Sequence, residues 1–348
     1  MPVLSDRFGR VINYIRVSVT DRCNLHCRYC RTGSGADGFA PRGEILTFEE
    51  IIFILETARD KFGIKNIRLT GGEPLVRRGI ADLVRRLVAG GFATGMTTNG
   101  TLLEQAAPEL KSAGLKRLNI SLDTLSAEVY RAITGGDISP VMSGIEAAIA
   151  AGFDEITVNA VARPGGESGA ENFLSWAAAR NLDVKFIEEM PLGKHAPVKK
   201  GMAKSACGTE ILTTAADSAR PVDTFDFAAF ERKIVSGMGL SETHSEGFGP
   251  GRYYRKKQGG HKIGFVAALS KPFCEKCDRL RLTSDGKLLP CLGHPEFADL
   301  RQLLRSKKST DEKRTAVAES FIYVADIKPR NHDDFAMAGA VKMDSIGG

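Results

Sequence analysis

The chain predicts an α/β protein: a partial, open β/α barrel of about six units with a C-terminal extension carrying a second cysteine cluster. Three observations predict it. From residue 11 to about 190, short β-branched runs alternate with amphipathic helical patterns, the order of a parallel sheet with crossover helices. The alternation supplies about six strand–helix units, where a closed barrel needs about eight. Past residue 190 it gives way to a small, polar, glycine- and lysine-rich stretch, and then to short strands set among cysteines.

The elements follow in order. VINYIRVSV is a first strand, and TFEEIIFILETARDKFG a helix whose Thr47 and Glu50 fit a capping box. NIRLT, FATGMTT, RLNISL, EITVNAV and DVKFIEE are the next strands. Between them, GIADLVRRLVAGG, TLLEQAAPELKSAG, SAEVYRAIT with VMSGIEAAIAAG, and NFLSWAAARN read as helices. RYYRKK, HKIGFVAAL, RLRLTS and KLLP are short strands of the later region, followed by helical segments at about 297–307 and 310–325. The expected organisation is a barrel over 1–190, a linker or atypical insertion over 191–250, and a C-terminal cluster-binding domain over 251–348. In such a barrel the site sits at the C-terminal ends of the strands.

With 43% hydrophobic and 26% charged residues, the composition excludes disordered and fibrous classes. No stretch approaches the ~18 apolar residues of a membrane span, and the first residues lack a basic segment followed by an apolar run. A cytoplasmic protein with no membrane attachment is expected. A net charge of +6 is too weak to imply nucleic acid, although local arginines suit an anionic small molecule. GSGADG at 33–38 satisfies a dinucleotide pattern but lacks its strand–turn–helix context, and the common hydrolase and P-loop motifs are absent.

Six of the seven cysteines fall in two tight clusters, which suits thiolate metal ligation better than disulfides. Cys207 is left over and reads as a small residue in a loop. Cys23, Cys27 and Cys30 follow the first strand directly. Soft thiolates suit zinc or iron–sulfur centres, and three ligands rather than four suit a [4Fe–4S] cluster with one iron open to a small molecule. His26, wedged between two of them, is a poor fourth ligand. Cys274, Cys277 and Cys291 repeat the arrangement around a strand–turn–strand; with His294 three residues on, a Cys3His zinc site fits that spacing too. In RLTGGEP, Gly71 and Gly72 allow a close backbone approach, Glu73 offers a carboxylate, and Pro74 fixes the turn.

CxxxCxxC after the first strand, joined to RLTGGEP at 68–74, resembles the radical S-adenosylmethionine (SAM) superfamily. A narrower resemblance is carried by FCEKCDRLRLTSDGKLLPCL, by TTNG at 97–100, NISLD at 119–123, FIEEM at 186–190, and by the terminal SIGG. These are similar, in order and over essentially the whole chain, to the MoaA family, the GTP 3′,8-cyclases of molybdenum-cofactor biosynthesis.

The resemblance implies a radical SAM lyase with two [4Fe–4S] clusters. One, on Cys23, Cys27 and Cys30, binds and reductively cleaves SAM, with Tyr29, Gly72, Glu73, Ser121 and Met190 at the SAM site. The other, on Cys274, Cys277 and Cys291, binds the guanine of GTP, while Arg16, Arg68, Thr97, Arg279 and Arg281 fall on GTP-contacting positions. The 5′-deoxyadenosyl radical abstracts the ribose 3′ hydrogen, and the ribose radical attacks C8 of the base. Gly347 and Gly348 form a tail entering the site. A reductant such as flavodoxin or ferredoxin, a MoaC-like next enzyme and a homodimer are further implications. Two positions depart from the family: Thr157 stands where relatives usually carry lysine, and Lys185 where arginine is usual. Lys194, Lys199, Lys200 and Lys204 in the atypical linker are candidates to make up the lost charge. Two other readings stay open: a radical SAM maturase acting on a peptide or other substrate with an auxiliary cluster, and a non-catalytic zinc or iron–sulfur module.

Overall fold

The computed structural model describes residues 2–30, 39–163, 167–190, 225–243, 251–292 and 294–331. The stretch 33–38, Cys207, Lys194, Lys199, Lys200, Lys204 and the terminal Gly347 and Gly348 lie outside them.

Six strands follow the sequence pattern: β1 Tyr14–Ser18, β2 Asn66–Thr70, β3 Ala93–Thr98, β4 Arg117–Ser121, β5 Glu155–Ala162 and β6 Asp183–Glu188. All pair in parallel, in sequential order. The crossover helices are α1 Phe48–Phe62, α2 Ile80–Ala89, α3 Leu103–Ser112, α4 Ala127–Thr134 with α5 Ser139–Ala150, and α6 Glu167–Ala178. The expected capping box is formed: Glu50 N–H donates to Thr47 Oγ1 at 3.1 Å and Thr47 N–H to Glu50 Oε2 at 2.8 Å. Ile15, Val17, Ile67, Leu69, Ile120 and Val158, all at most 1% exposed, form the buried outer face of the sheet under these helices.

The strands do not read as uniformly apolar. In β4 and β6 buried residues alternate with half-buried ones, because only the helix-covered face is packed while the inner face is polar and open. Within 191–250, where the sequence predicts a linker or insertion, the structure forms α7 Phe227–Gly237 and β7 Ser241–Thr243. Helix α7 is the crossover to the next parallel strand, β9 Ile263–Val266, which pairs with β6. It is held by aromatic packing: Phe230 meets Phe186 edge-on at 5.1 Å between centroids, and Phe227 meets Phe265 at 6.2 Å.

The remaining strands, β8 Arg252–Arg255, β10 Arg279–Leu282, β11 Lys287–Leu289 and β12 Ala298–Asp299, complete one twelve-stranded sheet in the order β12-β11-β10-β1-β2-β3-β4-β5-β6-β9-β8-β7. The C-terminal region thus extends both edges of the barrel sheet, with β10 parallel to β1 and β9 parallel to β6. Among the described residues the two outermost strands do not pair, so the barrel is open. Two helices follow, α8 Leu300–Leu304 and α9 Thr310–Asp326; α9 packs on α1, with the rings of Phe62 and Phe321 6.2 Å apart. No helix of the described residues is long and apolar enough to cross a membrane.

Candidate active site

Strand β1 runs directly into the first cysteine loop. That loop is anchored on the C-terminal end of α4, where His26 N–H donates to Thr134 O at 2.9 Å and Arg28 N–H to Ile133 O at 3.0 Å. Leu25, 7% exposed, plugs the loop into this end, and a Cβ at Gly136 would lie 2.5 Å from it. Cys23, Cys27 and Cys30 are half-buried and form no disulfide among the described residues. Leu25 N–H and Asn99 Nδ2 both donate towards Cys23 Sγ, at 3.4 and 3.8 Å. Burial, reinforced by the charges of Asp123 and Cys23, pushes the Cys27 thiol up to about 12. Three thiolates beside a carboxylate are stable only around a cationic centre.

The two glycines of RLTGGEP serve a close approach, but the partner is the cysteine loop's own backbone. A Cβ on Gly72 would lie 2.3 Å from Arg22 O, and one on Gly71, whose φ is +149°, 2.4 Å from Thr20 O. The contact is sealed by Gly72 N–H to Thr20 O at 2.7 Å and Glu73 N–H to Arg22 O at 2.8 Å. Glu73 is wholly buried. Its carboxylate accepts from Thr98 Oγ1 at 2.8 Å, Asn99 N–H at 2.6 Å and Leu75 N–H at 2.9 Å. It therefore braces the ends of β2 and β3, and presents the Gly71–Gly72 backbone rather than its own oxygens.

Burial pushes the Glu73 carboxyl up to about 7 despite these three donors. A folded-state value above the unfolded one means that Glu73 favours folding at low pH, and that this contribution falls as pH rises from about 4.5 to about 7. Glu73→Gln, which sets an amide donor against Asn99 N–H or Thr98, is expected to cost about 1–3 kcal/mol and to flatten this pH dependence. Anaerobic thermal melts of both proteins at pH 5 and pH 8 check it: the stability gap should be wider at pH 5.

The other residues expected at the SAM site gather at the same mouth. Ser121 ends β4, Met190 follows β6, and both are half-buried. Tyr29 donates to Asp123 Oδ2 at 3.0 Å, its ring lies 4.5 Å beneath the Arg163 guanidinium, and Asp123 Oδ1 accepts from Val161 N–H. Arg163 stands 3.5 Å from Asp123 and 3.4 Å from Glu189. Burial, then Asp123, drive the Tyr29 phenol well above its ordinary value, so it stays protonated as a donor.

The inner face of the sheet is cationic. Register places Arg281, Arg16, Arg68, Gly95 and Arg117 in one row across five strands, with Arg279 beside Tyr14. Thr97, Asn119, Thr157 and Asp183 form a second row. Gly95 leaves room for Arg68, whose Nε donates to Tyr14 Oη at 2.9 Å and whose Nη1 bonds Asn119. Burial, then repulsion from Arg281, pull Arg16 down to about 9; burial, then Arg279, pull Arg281 to about 10; burial, then Arg68, pull Lys185 to about 8. These groups crowd like charges into a cleft that an anion would relieve. Thr157 and Lys185, the two departures, line its wall with Tyr253, whose ring lies 5.3 Å from Lys185 Nζ.

Parallel pairing fixes where the two cysteine sets lie. The first follows the C-terminal end of β1. Cys277 precedes β10, which runs parallel to β1, and Cys291 follows the returning β11. The second set therefore sits at the opposite mouth, with the arginine rows between the two. Its thiols are also half-buried and form no disulfide among the described residues. Burial raises the Cys277 thiol, but Arg279 and Lys328 outweigh it and bring it down to about 7, in the thiolate range. His294 is 8% exposed, with Nδ1 accepting from Glu296 N–H at 3.2 Å.

No three His, Cys, Asp or Glu side chains among the described residues converge on a single ion. The chemistry of both donor sets, soft thiols flanked by N–H donors or by cations, nonetheless fits iron–sulfur ligation. Asn99, Asn119, Asp123 and Arg163 escaped the sequence analysis as site residues. Asn99 and Asp123 lie inside the quoted TTNG and NISLD, and Asn119 occupies a polar position alternating with apolar ones on β4, which is the signal that marks an inner face.

An open β/α barrel whose first strand delivers three cysteines, against a glycine turn from the second, defines a radical SAM protein. Residues 17–174 match the Radical SAM superfamily and residues 213–334 match Molybdenum Cofactor Synthesis C. In fold the chain is similar to SuiB of Streptococcus suis bound to S-adenosylmethionine, with a TM-score of 0.56 at 14% identity, over 89% of this chain and 69% of that one. A GTP 3′,8-cyclase of Marinobacter nauticus is 40% identical over 99% of this chain and 98% of its own length; one of Thermodesulfovibrio yellowstonii is 37% identical over 99% and 100%. The chain belongs to the GTP 3′,8-cyclase family, and with it to the enzymes that use a [4Fe–4S] cluster and SAM.

Proposed function

We propose that this enzyme cyclises GTP to 3′,8-cyclo-dihydro-GTP for molybdenum-cofactor biosynthesis. The observation that carries the reading is the buried cationic face between two cysteine trios, a cleft suited to a polyphosphate with a reactive group at each end. A cluster on Cys23, Cys27 and Cys30 would supply the electron that releases a 5′-deoxyadenosyl radical from SAM. Tyr29, Gly72, Ser121 and Met190 would seat SAM at the C-terminal mouth, with Glu73 holding the Gly71–Gly72 backbone in place. Arg16, Arg68, Arg279 and Arg281, with Thr97, would hold GTP with its ribose turned to that mouth; fixed guanidinium forks suit phosphate oxygens and a purine edge. Cys274, Cys277 and Cys291 would carry a second [4Fe–4S] cluster at the guanine end. The protein's part would be to hold SAM's reactive carbon against the substrate while the cofactor does the hard step.

In this role the protein works in the cytoplasm, draws electrons from flavodoxin or ferredoxin, and hands its product to a MoaC-like enzyme. The test is an anaerobic turnover with SAM, reductant and GTP deuterated at the ribose 3′ carbon, reading the 5′-deoxyadenosine by mass spectrometry. Deuterium in that product is expected. Unlabelled 5′-deoxyadenosine would keep the radical chemistry and remove GTP as substrate.

A further inference from the structure

Two buried cations from opposite ends of the chain, neither within the cysteine motif, hold the backbone of all three segments that carry the second cysteine set. Lys328 is 1% exposed, and its ammonium donates to Arg279 O, two residues past Cys277, and to Pro290 O, the residue before Cys291, each at 2.7 Å. Arg10 is 8% exposed and donates to Cys274 O at 2.7 Å. Arg10 also donates to Pro329 O at 2.6 Å and Arg330 O at 3.1 Å, so it fastens the segment carrying Lys328 to the same place. Arg10 has a counter-ion in Asp6. The bonds of Lys328 go to neutral carbonyls; Asp278 feels its charge but makes no ion pair with it among the described residues.

A buried ammonium with only carbonyl partners is costly unless an anionic group lies close by. The second cysteine set, which Lys328 reaches through the carbonyls of Arg279 and Pro290, would be that group when it holds a cluster. We propose that Lys328 is a positioning residue for a second iron–sulfur cluster: with Arg10 it sets the spacing of the three cysteine segments, and its fixed positive charge raises the cluster's reduction potential. The inference rests on the reading that these cysteines hold a cluster.

The test uses the full-length protein, reconstituted anaerobically, with Lys328→Met, Lys328→Gln and Lys328→Arg compared to the unchanged chain. Measurements are iron content, rate of iron loss to a chelator, and midpoint potentials followed by electron paramagnetic resonance. Lys328→Met is expected to shift the second cluster to a more negative potential and to speed its loss several-fold, while SAM cleavage at the first cluster persists. Lys328→Gln keeps a donor without the charge and should show the same negative shift with slower loss. Lys328→Arg should restore the potential. Unchanged potentials in both neutral variants would overturn the inference, and so would equal loss of both clusters in Lys328→Gln, which would make the lysine a general scaffold residue. One cluster's worth of iron in the unchanged chain would instead overturn the second cluster itself.

Discussion

Alanine at Cys23, Cys27 and Cys30 together is expected to leave a folded protein with about half its iron and no detectable 5′-deoxyadenosine formation, since in the proposed function each trio would carry one cluster. The expectation of folding follows from how the loop is attached. Its anchors are backbone bonds to the end of α4 and the buried side chain of Leu25, none of which uses a sulfur. Loss of chemistry follows from the donor set, because no other thiol is available at that mouth among the described residues. The matching triple change at Cys274, Cys277 and Cys291 should also halve the iron. It should keep reductive SAM cleavage, uncoupled from any cyclised product, because that trio lies at the opposite mouth. Iron analysis and chromatography of the deoxyadenosine distinguish the two. If both triple variants abolished SAM cleavage, the separation of roles between the mouths would fail.

Much of this architecture was legible because its signals are local. The six β/α units announce themselves by period, the start of α1 by Thr47 and Glu50, and the radical SAM class by the first cysteine spacing together with RLTGGEP. What escaped is non-local. Nothing in HKIGFVAAL or RLRLTS says that the two strands pair with opposite edges of one sheet. Helix α7 follows a long polar stretch, and its phenylalanines gain meaning only against Phe186 and Phe265. The five contacts assigned to GTP by resemblance, Arg16, Arg68, Thr97, Arg279 and Arg281, do fall on one inner face. Lys328 and Arg10 had no sequence signature, since each acts through backbone carbonyls far away in the chain. Glu73 was legible as part of the glycine turn, but the full burial of its carboxylate was not.

That burial makes Gly72 the more sensitive member of the turn. Gly72→Ala is expected to lower SAM cleavage by about 10²-fold while leaving the helical content unchanged. A Cβ 2.3 Å from Arg22 O and 2.9 Å from Asp21 O meets backbone on both counts, so no side chain can swing aside. Relief requires the β2 turn and the cysteine loop to part, which breaks the bonds from Gly72 N–H to Thr20 O and from Glu73 N–H to Arg22 O. Overpacking of this kind costs about 1–3 kcal/mol, a loss the fold can absorb. The chemistry cannot absorb it, since Cys23 follows Arg22 directly and every movement of that carbonyl is carried to the first sulfur. Gly43→Ala, with nothing within 4 Å of its Cβ, is the control and should retain full activity. Deoxyadenosine yield per iron in the soluble variants is the measurement. Near-normal yield in Gly72→Ala would mean that the two backbones part without moving Cys23, and would remove the glycine turn from the cysteine loop's support.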